Sequence, residues 1–525
     1  MYSFIVQKIK NKKLMHWADL WAKRVIEHNP DKDEYICASA VTPSGVCHIG
    51  HLRETLTGYF VAKALEGLGK KSITIHGWDD YDRFRKVPVG VSKKYEEYIG
   101  MPLCDIPDPE GCHDSYAHHF SKPFEENLIR LGIEPEFKYH STYWKGCKLS
   151  ENIKTAMQKK DEIIQILDKY REKPLEKTWK PITIYCEKCS KDSTEILEYE
   201  AYNIKYRCKC GHEDQIDFRK KGLVKLKWRV DWPSKWKYFQ IDFESAGKDH
   251  LTKGGSRTTG NLICEEVFEY KPPLPLHEGY EFVTVKNLKG KMSSSKGNVS
   301  TLSNLLEVLT PELVKYVYLK TKPNKEIIFS FDQDLLNLYN YYDLVERIYF
   351  GEEESKQKEE KMRRIYELSK QEIPKKMKKQ IPFSILVNLS QIIPEEKVKE
   401  VVERLGIMVD DEENLKQKYV LAGNWVKNYA PQNFVIKLAS KDAKKEKIGE
   451  KESQILSKIY DYVLEKPNPQ DLQTKIYETT KKQGIEPKTI FKATYKRLLG
   501  VEHGPKLGYF LLLLDPDFLR ERLLD

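Results

Sequence analysis

No stretch of this chain is apolar for long enough to cross a membrane: the run from Tyr509 to Leu514 is the only extended one in the C-terminal part, far short of the ~20 residues a span needs. The opening segment, Met1 to Leu14, has several lysines but neither a sustained hydrophobic region nor a small-residue cleavage site, so no secretory signal is expected and a cytoplasmic location is predicted. No internal repeat is present, which sets solenoid architectures aside. Cysteine is sparse, ten in 525 residues, and four of the ten crowd into 186–210. That distribution argues against a disulfide framework and for metal binding by reduced thiols. What is present is ample apolar content, 40%, in a chain long enough for three or four domains. The net charge of +10 suits a polyanionic partner without requiring one.

The most informative string is His48-Ile49-Gly50-His51. It follows an apolar run, Tyr35-Ile36-Cys37-Ala38-Ser39, and a turn on Pro43-Ser44-Gly45, and it opens a segment with Leu52, Leu56, Tyr59, Phe60, Val61 and Leu65. The pattern predicts strand, loop, then amphipathic helix. A helix beginning at Gly50 or His51 leaves unpaired N–H groups and a positive dipole end facing the loop, where a phosphate chain can sit. Imidazoles at both ends of the tetrapeptide can stabilise charge that builds on an α-phosphate under attack. Alone, the tetrapeptide is equally a pair of surface histidines.

A second string, Lys291-Met292-Ser293-Ser294-Ser295-Lys296-Gly297, makes a basic loop suited to gripping leaving pyrophosphate in a transition state. In this order, with an α/β pattern between them, the two strings resemble the ATP-handling pair of class I aminoacyl-tRNA synthetases. That resemblance makes His48, His51, Lys291 and Lys296 the catalytic candidates, with Gly50, Ser294 and Ser295 completing the ATP site. The second string departs from the general pattern in having Ser294 where a lysine is usual, and Lys296 is the candidate to supply that charge.

Two clusters have the composition of metal sites. Cys186 and Cys189, followed after 18 intervening residues by Cys208 and Cys210, resemble a zinc ribbon whose two knuckles sit at the ends of short strands. The second knuckle has a single spacer residue, which leaves His212 as an alternative to Cys210. The other cluster, Asp108, Cys112, His113 and His119, offers acceptable zinc ligands around a Pro-Glu-Gly turn, and reads equally as a histidine-rich transition from loop to helix.

Between the two strings, the body resembles the class I, archaeal-type lysyl-tRNA synthetases, from about Met15 to the C-terminus. The blocks that carry the resemblance are Ser39 to Gly45, His76 to Pro88, Lys227 to Pro233, and Gly247-Lys248-Asp249-His250 with Gly254-Gly255-Ser256. It implies a lysine pocket at Ala40, Thr42, Trp228, His250 and Tyr280, and zinc at both clusters. At the position of Ala40 some relatives have glycine. Physically, a lysine side chain needs an apolar slot for its methylenes and acceptors for its ammonium group. Trp228 and Tyr280 suit the stem. Asp79, Asp80 and Asp82 follow the apolar run Ile73-Thr74-Ile75, at the carboxyl end of a predicted strand where open α/β sheets bind ligands, and Asp80 is the candidate for an amine contact. Pairing of these aspartates with Arg83, Arg85 and Lys86 is the competing expectation.

The expected organisation is an extension at 1–14, then a Rossmann-like α/β catalytic domain in two halves, 15–120 and 222–300. The halves are split by a zinc-ribbon insertion at 121–221, with a lysine-rich helical stretch from Glu151 to Lys173. A connecting helical domain at 301–350, starting helically at Pro311, and an all-α anticodon-binding region at 351–525 complete it. Expected partners are ATP with Mg²⁺, L-lysine and tRNA(Lys), with Zn²⁺ bound, in a monomer. Lysine would join tRNA through lysyl-adenylate, with first attachment at the 2′-hydroxyl and activation dependent on tRNA implied by the resemblance. The rivals are a class I synthetase for glutamate, arginine or cysteine, and a catalytically silent zinc-ribbon tRNA-binding protein.

Overall fold

The computed structural model describes residues 15–276, 278–286, 299–355, 359–440 and 443–524. Lys291, Ser294, Ser295 and Lys296 lie outside the described residues. The described chain divides into two units.

The first unit is built on a four-stranded sheet in the order Glu136–Tyr139, Lys71–Trp78, Glu34–Val41, Phe243–Glu244, with every neighbouring pair parallel. Strand Glu34–Val41 is buried along most of its length, as expected where helices cover both faces of a parallel sheet. Parallel neighbours need a crossover, and helix Ile49–Gly67 supplies it. Leu52, Leu56, Phe60, Val61 and Leu65 of that helix are fully buried, while Trp17 of helix Trp17–His28 meets Phe60 edge-on with ring centroids 6.1 Å apart. The helix begins at Ile49 with His48 as its N-cap, one residue earlier than its sequence predicts.

The boundary expected at 120 falls inside helix Tyr116–Arg130, which leads directly into the edge strand Glu136–Tyr139. The catalytic sheet therefore continues past it. The insertion proper packs helices Ser150–Gln158 and Lys160–Asp168 against an antiparallel pair, Ile182–Ile184 with Val224–Leu226. That pair leads into the antiparallel three-stranded sheet of Thr194–Glu200, Asn203–Cys208 and Glu213–Asp217. Helix Pro311–Lys320 starts with proline as predicted, yet residues 314–329 and helix Glu359–Ser369 group with the first unit. There Arg364 pairs with Asp19 at 2.8 Å.

The second unit is helical from Asp334–Phe350 onward. Helix Phe383–Leu389 packs with Glu412–Asn428, and Phe383 stacks on Tyr339 with centroids 3.7 Å apart. Helices Glu450–Leu464, Pro469–Lys482, Pro487–Leu499 and Pro516–Leu523 form a further bundle. Each of the last three begins on proline, where a missing N–H costs nothing. No helix among the described residues is long and apolar enough to cross a membrane.

Candidate active site and metal centres

His48 and His51 are stacked at the start of helix Ile49–Gly67, with ring centroids 3.9 Å apart. Nδ1 of His48 accepts the Gly50 N–H at 3.0 Å, and Nδ1 of His51 accepts the His48 N–H at 3.1 Å. An imidazole nitrogen that accepts a hydrogen bond carries no proton, so each ring keeps its proton on Nε2. Burial, reinforced by His48 and His76, pushes the His51 imidazole well below its usual range and keeps it neutral. Both Nε2–H groups thus lie beside a helix N-terminus. Gly50 makes room for this: a Cβ there would sit 2.6 Å from Cε1 of His48.

The lysine-pocket candidates converge beside this helix. Ala40 lies near the end of its strand, and its N–H donates to Oε1 of Glu54 at 3.2 Å. The hydroxyl of Tyr280 donates to Oε2 of the same carboxylate at 2.7 Å. Tyr280 is bridged to Gly247, and a Cβ on Gly247 would touch the rings of both Tyr280, at 3.5 Å, and His250, at 3.8 Å. His250 meets Trp232 edge-on with centroids 5.7 Å apart, and Trp228 stacks on Trp232 at 5.1 Å. Ala40, Thr42, Glu54, Trp228, His250 and Tyr280 are all half-buried, while Ser39, Val41 and Trp232 are buried. Together they form one half-buried wall. Behind it, both indole N–H groups of Trp232 and Trp236 donate to the buried Glu244 carboxylate, and the guanidinium of Arg257 lies 4.2 Å from the Trp236 ring centroid. Trp232 and Trp236 are therefore core aromatics, whereas Trp228 is half-buried.

Asp80 does not join this group. It is buried, and its two oxygens accept the N–H of Ser141, at 2.8 Å, and the Ser141 hydroxyl. Its neighbours belong to a buried ionic network: Lys235 binds Asp79, Lys225 binds Asp82, and Asp231 lies 3.2 Å from Lys225 and 3.4 Å from Lys235. Nδ1 of His140 is 2.8 Å from Asp79. Burial opposes ionisation of Asp79, but Lys235 and His140 outweigh it and hold the carboxyl far below its usual range. Among the described residues, Arg83 alone of the expected cationic partners pairs with an acid, and that acid is Asp192, at 3.1 Å. Glu54, Glu244, Lys225, Asp231 and Lys235 were invisible to sequence reasoning. The one available signal was the spacing of Glu54 from His51, three residues on and so on the same helix face.

At the ribbon, Cys186, Cys189, Cys208 and Cys210 bring their sulfurs within 4.8 Å of one another. Two of the sulfur pairs are 3.7 Å and 3.6 Å apart, Cys186 with Cys210 and Cys189 with Cys208. A tetrahedron of Zn–S bonds ~2.3 Å long has edges of about 3.8 Å, so the four thiols fit Zn²⁺. Cys210, not His212, completes the set. The N–H of His212 points at that sulfur and lowers the Cys210 thiol to about 7, whereas the imidazole groups with Glu187 and Asp214. Ser190 and Gly211 turn the two knuckles through positive φ of 58° and 86°. The second cluster also assembles: Sγ of Cys112 lies 3.0 Å from His113 Nδ1, 3.3 Å from His119 Nδ1 and 3.4 Å from Asp108 Oδ2. N–H groups of Glu110 and Gly111 close the turn onto Asp108 at 2.7 Å and 2.9 Å. Carboxylate, thiolate and two imidazoles are a donor set that zinc accepts.

The family described as "tRNA synthetases class I (K)" matches residues 15–372. The lysine–tRNA ligase of Pyrococcus horikoshii is 42% identical over 524 residues, 97% of this chain and 99% of the relative. That of Thermococcus kodakarensis is 43% identical over 526 residues, with the same coverage. A bacterial relative, the lysine–tRNA ligase of Borreliella burgdorferi, is 37% identical over 514 residues, 96% of this chain and 98% of the relative.

Proposed function

Because the chain belongs to the lysine family of class I tRNA synthetases, which are aminoacyl-tRNA ligases, we propose that it activates L-lysine with Mg-ATP and passes the lysyl group to tRNA(Lys). The observation that carries the mechanism is the stacked imidazole pair, whose two Nε2–H groups are fixed by backbone hydrogen bonds before any substrate arrives. The lysine carboxylate attacks the α-phosphorus of ATP, a new P–O bond forms, and the bond to pyrophosphate breaks. His48 and His51 donate to the phosphate oxygens on which negative charge grows, and the dipole of helix Ile49–Gly67 adds to this. Because the donors are preorganised, little reorganisation is needed in the transition state. Lys291 and Lys296 are proposed to hold the leaving pyrophosphate on the strength of their sequence motif. A ribose hydroxyl of the terminal adenosine then attacks the lysyl carbonyl, and AMP leaves.

The wall of Ala40, Thr42, Trp228, His250 and Tyr280 is proposed to hold the lysine, with the aliphatic stem along Trp228 and Tyr280. The ribbon cysteines would hold one Zn²⁺ and the Asp108 cluster a second. In both, the ion would tie together loop segments at the edge of a buried cluster. The helical second unit is proposed to read the anticodon. Pyrophosphate exchange into ATP tests the activation step: exchange should depend on lysine, with or without added tRNA, and its absence under both conditions would refute it.

A further inference from the structure

Among the described residues Glu54 has no cationic partner, although it stands within the wall of the pocket candidates. Both of its hydrogen bonds come from uncharged donors, the Ala40 N–H at 3.2 Å and the Tyr280 hydroxyl at 2.7 Å. The neighbouring charges that act on it most are Glu244 and Asp79, both acidic. Each of those has its own donors, Glu244 in the indoles of Trp232 and Trp236 and Asp79 in Lys235. The adjacent Arg53 turns away, donating to the carbonyls of Lys322 and Pro323 at 2.9 Å and 2.8 Å. An acid in such a place is costly unless a cation joins it. Burial accordingly pushes its carboxyl up to about 8. Yet the residue as a whole is half-buried rather than sealed.

We propose that Glu54 is the specificity-determining residue of the pocket: its carboxylate receives the terminal ammonium group of the amino acid substrate, between the Ala40 N–H and the Tyr280 hydroxyl. The arrangement selects a cation on an apolar stem. Trp228, Tyr280 and His250 give the stem a wall of rings, and Glu54 closes its far end with a negative charge. An acidic substrate would meet Glu54, Glu244 and Asp79 together and be rejected by like charge. A neutral substrate of equal length would leave the buried acid unpaired. This inference rests on the proposal that the pocket takes lysine, and it replaces Asp80, which is only 1% exposed, whereas Glu54 is half-buried.

The test is calorimetric titration of the full-length protein with lysine, with S-aminoethylcysteine, which keeps the ammonium, and with norleucine, which lacks it. The wild type should bind the first two and reject norleucine. Glu54→Gln should weaken lysine by about 10²-fold while leaving norleucine unchanged or improved, so that discrimination collapses. If Glu54→Gln disturbs folding, Glu54→Asp, which withdraws the carboxylate by one methylene, should give a smaller loss confined to the two cationic ligands. A Glu54→Gln protein that still prefers lysine over norleucine as strongly as the wild type would overturn the assignment of Glu54 alone. A wild type that binds neither cationic ligand would overturn the lysine reading itself.

Discussion

The imidazole of His48 lies over that of His51, rings 16° from parallel, with Nδ1 of His51 bound to the backbone N–H of His48. The pair is one unit: moving either ring frees the backbone N–H that its Nδ1 accepts, Gly50's for His48 and His48's for His51, and removes the stacking that orients the other.

That dependence gives a test away from the chemistry. Gly50→Ala would drive a methyl group to within 2.6 Å of the His48 ring and push it off the helix cap. Lysine-dependent pyrophosphate exchange should fall by about 10²-fold, close to the loss in His48→Ala, because both remove transition-state donors. Lysine affinity, measured by titration, should stay near the wild-type value. Equal rates for Gly50→Ala and wild type would show that the His48 orientation is unimportant.

At the ribbon, Cys210→Ser should lose about one zinc per chain, by metal analysis after dialysis, and destabilise the insertion. His212→Ala should retain full zinc, since the contribution of His212 is its backbone N–H. Loss of zinc in His212→Ala with retention in Cys210→Ser would invert the ligand set.

Lys235 and Lys225 lie in a network with Asp79, Asp82 and Asp231, and both lysines are 5–7% exposed. Removing one partner strands buried charge, so Lys235→Met should lower the unfolding free energy of the first unit by about 3–5 kcal/mol in denaturant titrations. A loss under 1 kcal/mol would mean that water reaches the network.

The pocket should also be pH-dependent. In the ligand-free protein the Glu54 carboxyl is raised to about 8, whereas a bound ammonium group favours the ionised form. Lysine keeps its own charge below pH ~10. Binding below pH 8 must therefore displace a proton, so affinity should rise from pH 6 to 8 and then level. Calorimetry at pH 7 in buffers of different ionisation enthalpy should show release of close to one proton per lysine, and none in Glu54→Gln. Among the neighbours, Tyr280 is raised far above its usual range and burial keeps His51 and His76 neutral, while burial also raises the Glu244 carboxyl, whose separate titration the Glu54→Gln control subtracts. The same shift means that, without lysine, ionising Glu54 costs folding stability as pH rises from ~4.3 toward 8.

The strand–loop–helix around His48 was legible because its signals are local: an apolar run, a Pro-Ser-Gly turn and a 3.6-residue period. Both metal clusters were legible for the same reason, since their ligands lie within 25 residues of one another in each case. Glu54 was not. A glutamate on an amphipathic helix looks like part of the solvated face, and only Tyr280, 226 positions away, and the end of strand Glu34–Val41 give it a role. Asp80 was misjudged for the converse reason, as the partner that claims it, Ser141, is 61 residues distant. The boundary at 120 failed because helix Tyr116–Arg130 has no break at that point, and its strand Glu136–Tyr139 is recognisable only from its pairing with Lys71–Trp78.

One crevice is proposed to couple lysine recognition to adenylate chemistry and tRNA charging. This coupling is tested by offering the purified protein unfractionated tRNA, Mg-ATP and each labelled amino acid in turn. Lysine alone should become acid-precipitable with tRNA, and the product should be lost in His51→Ala. Stable attachment of glutamate, arginine or cysteine, or of no amino acid at all, would contradict it.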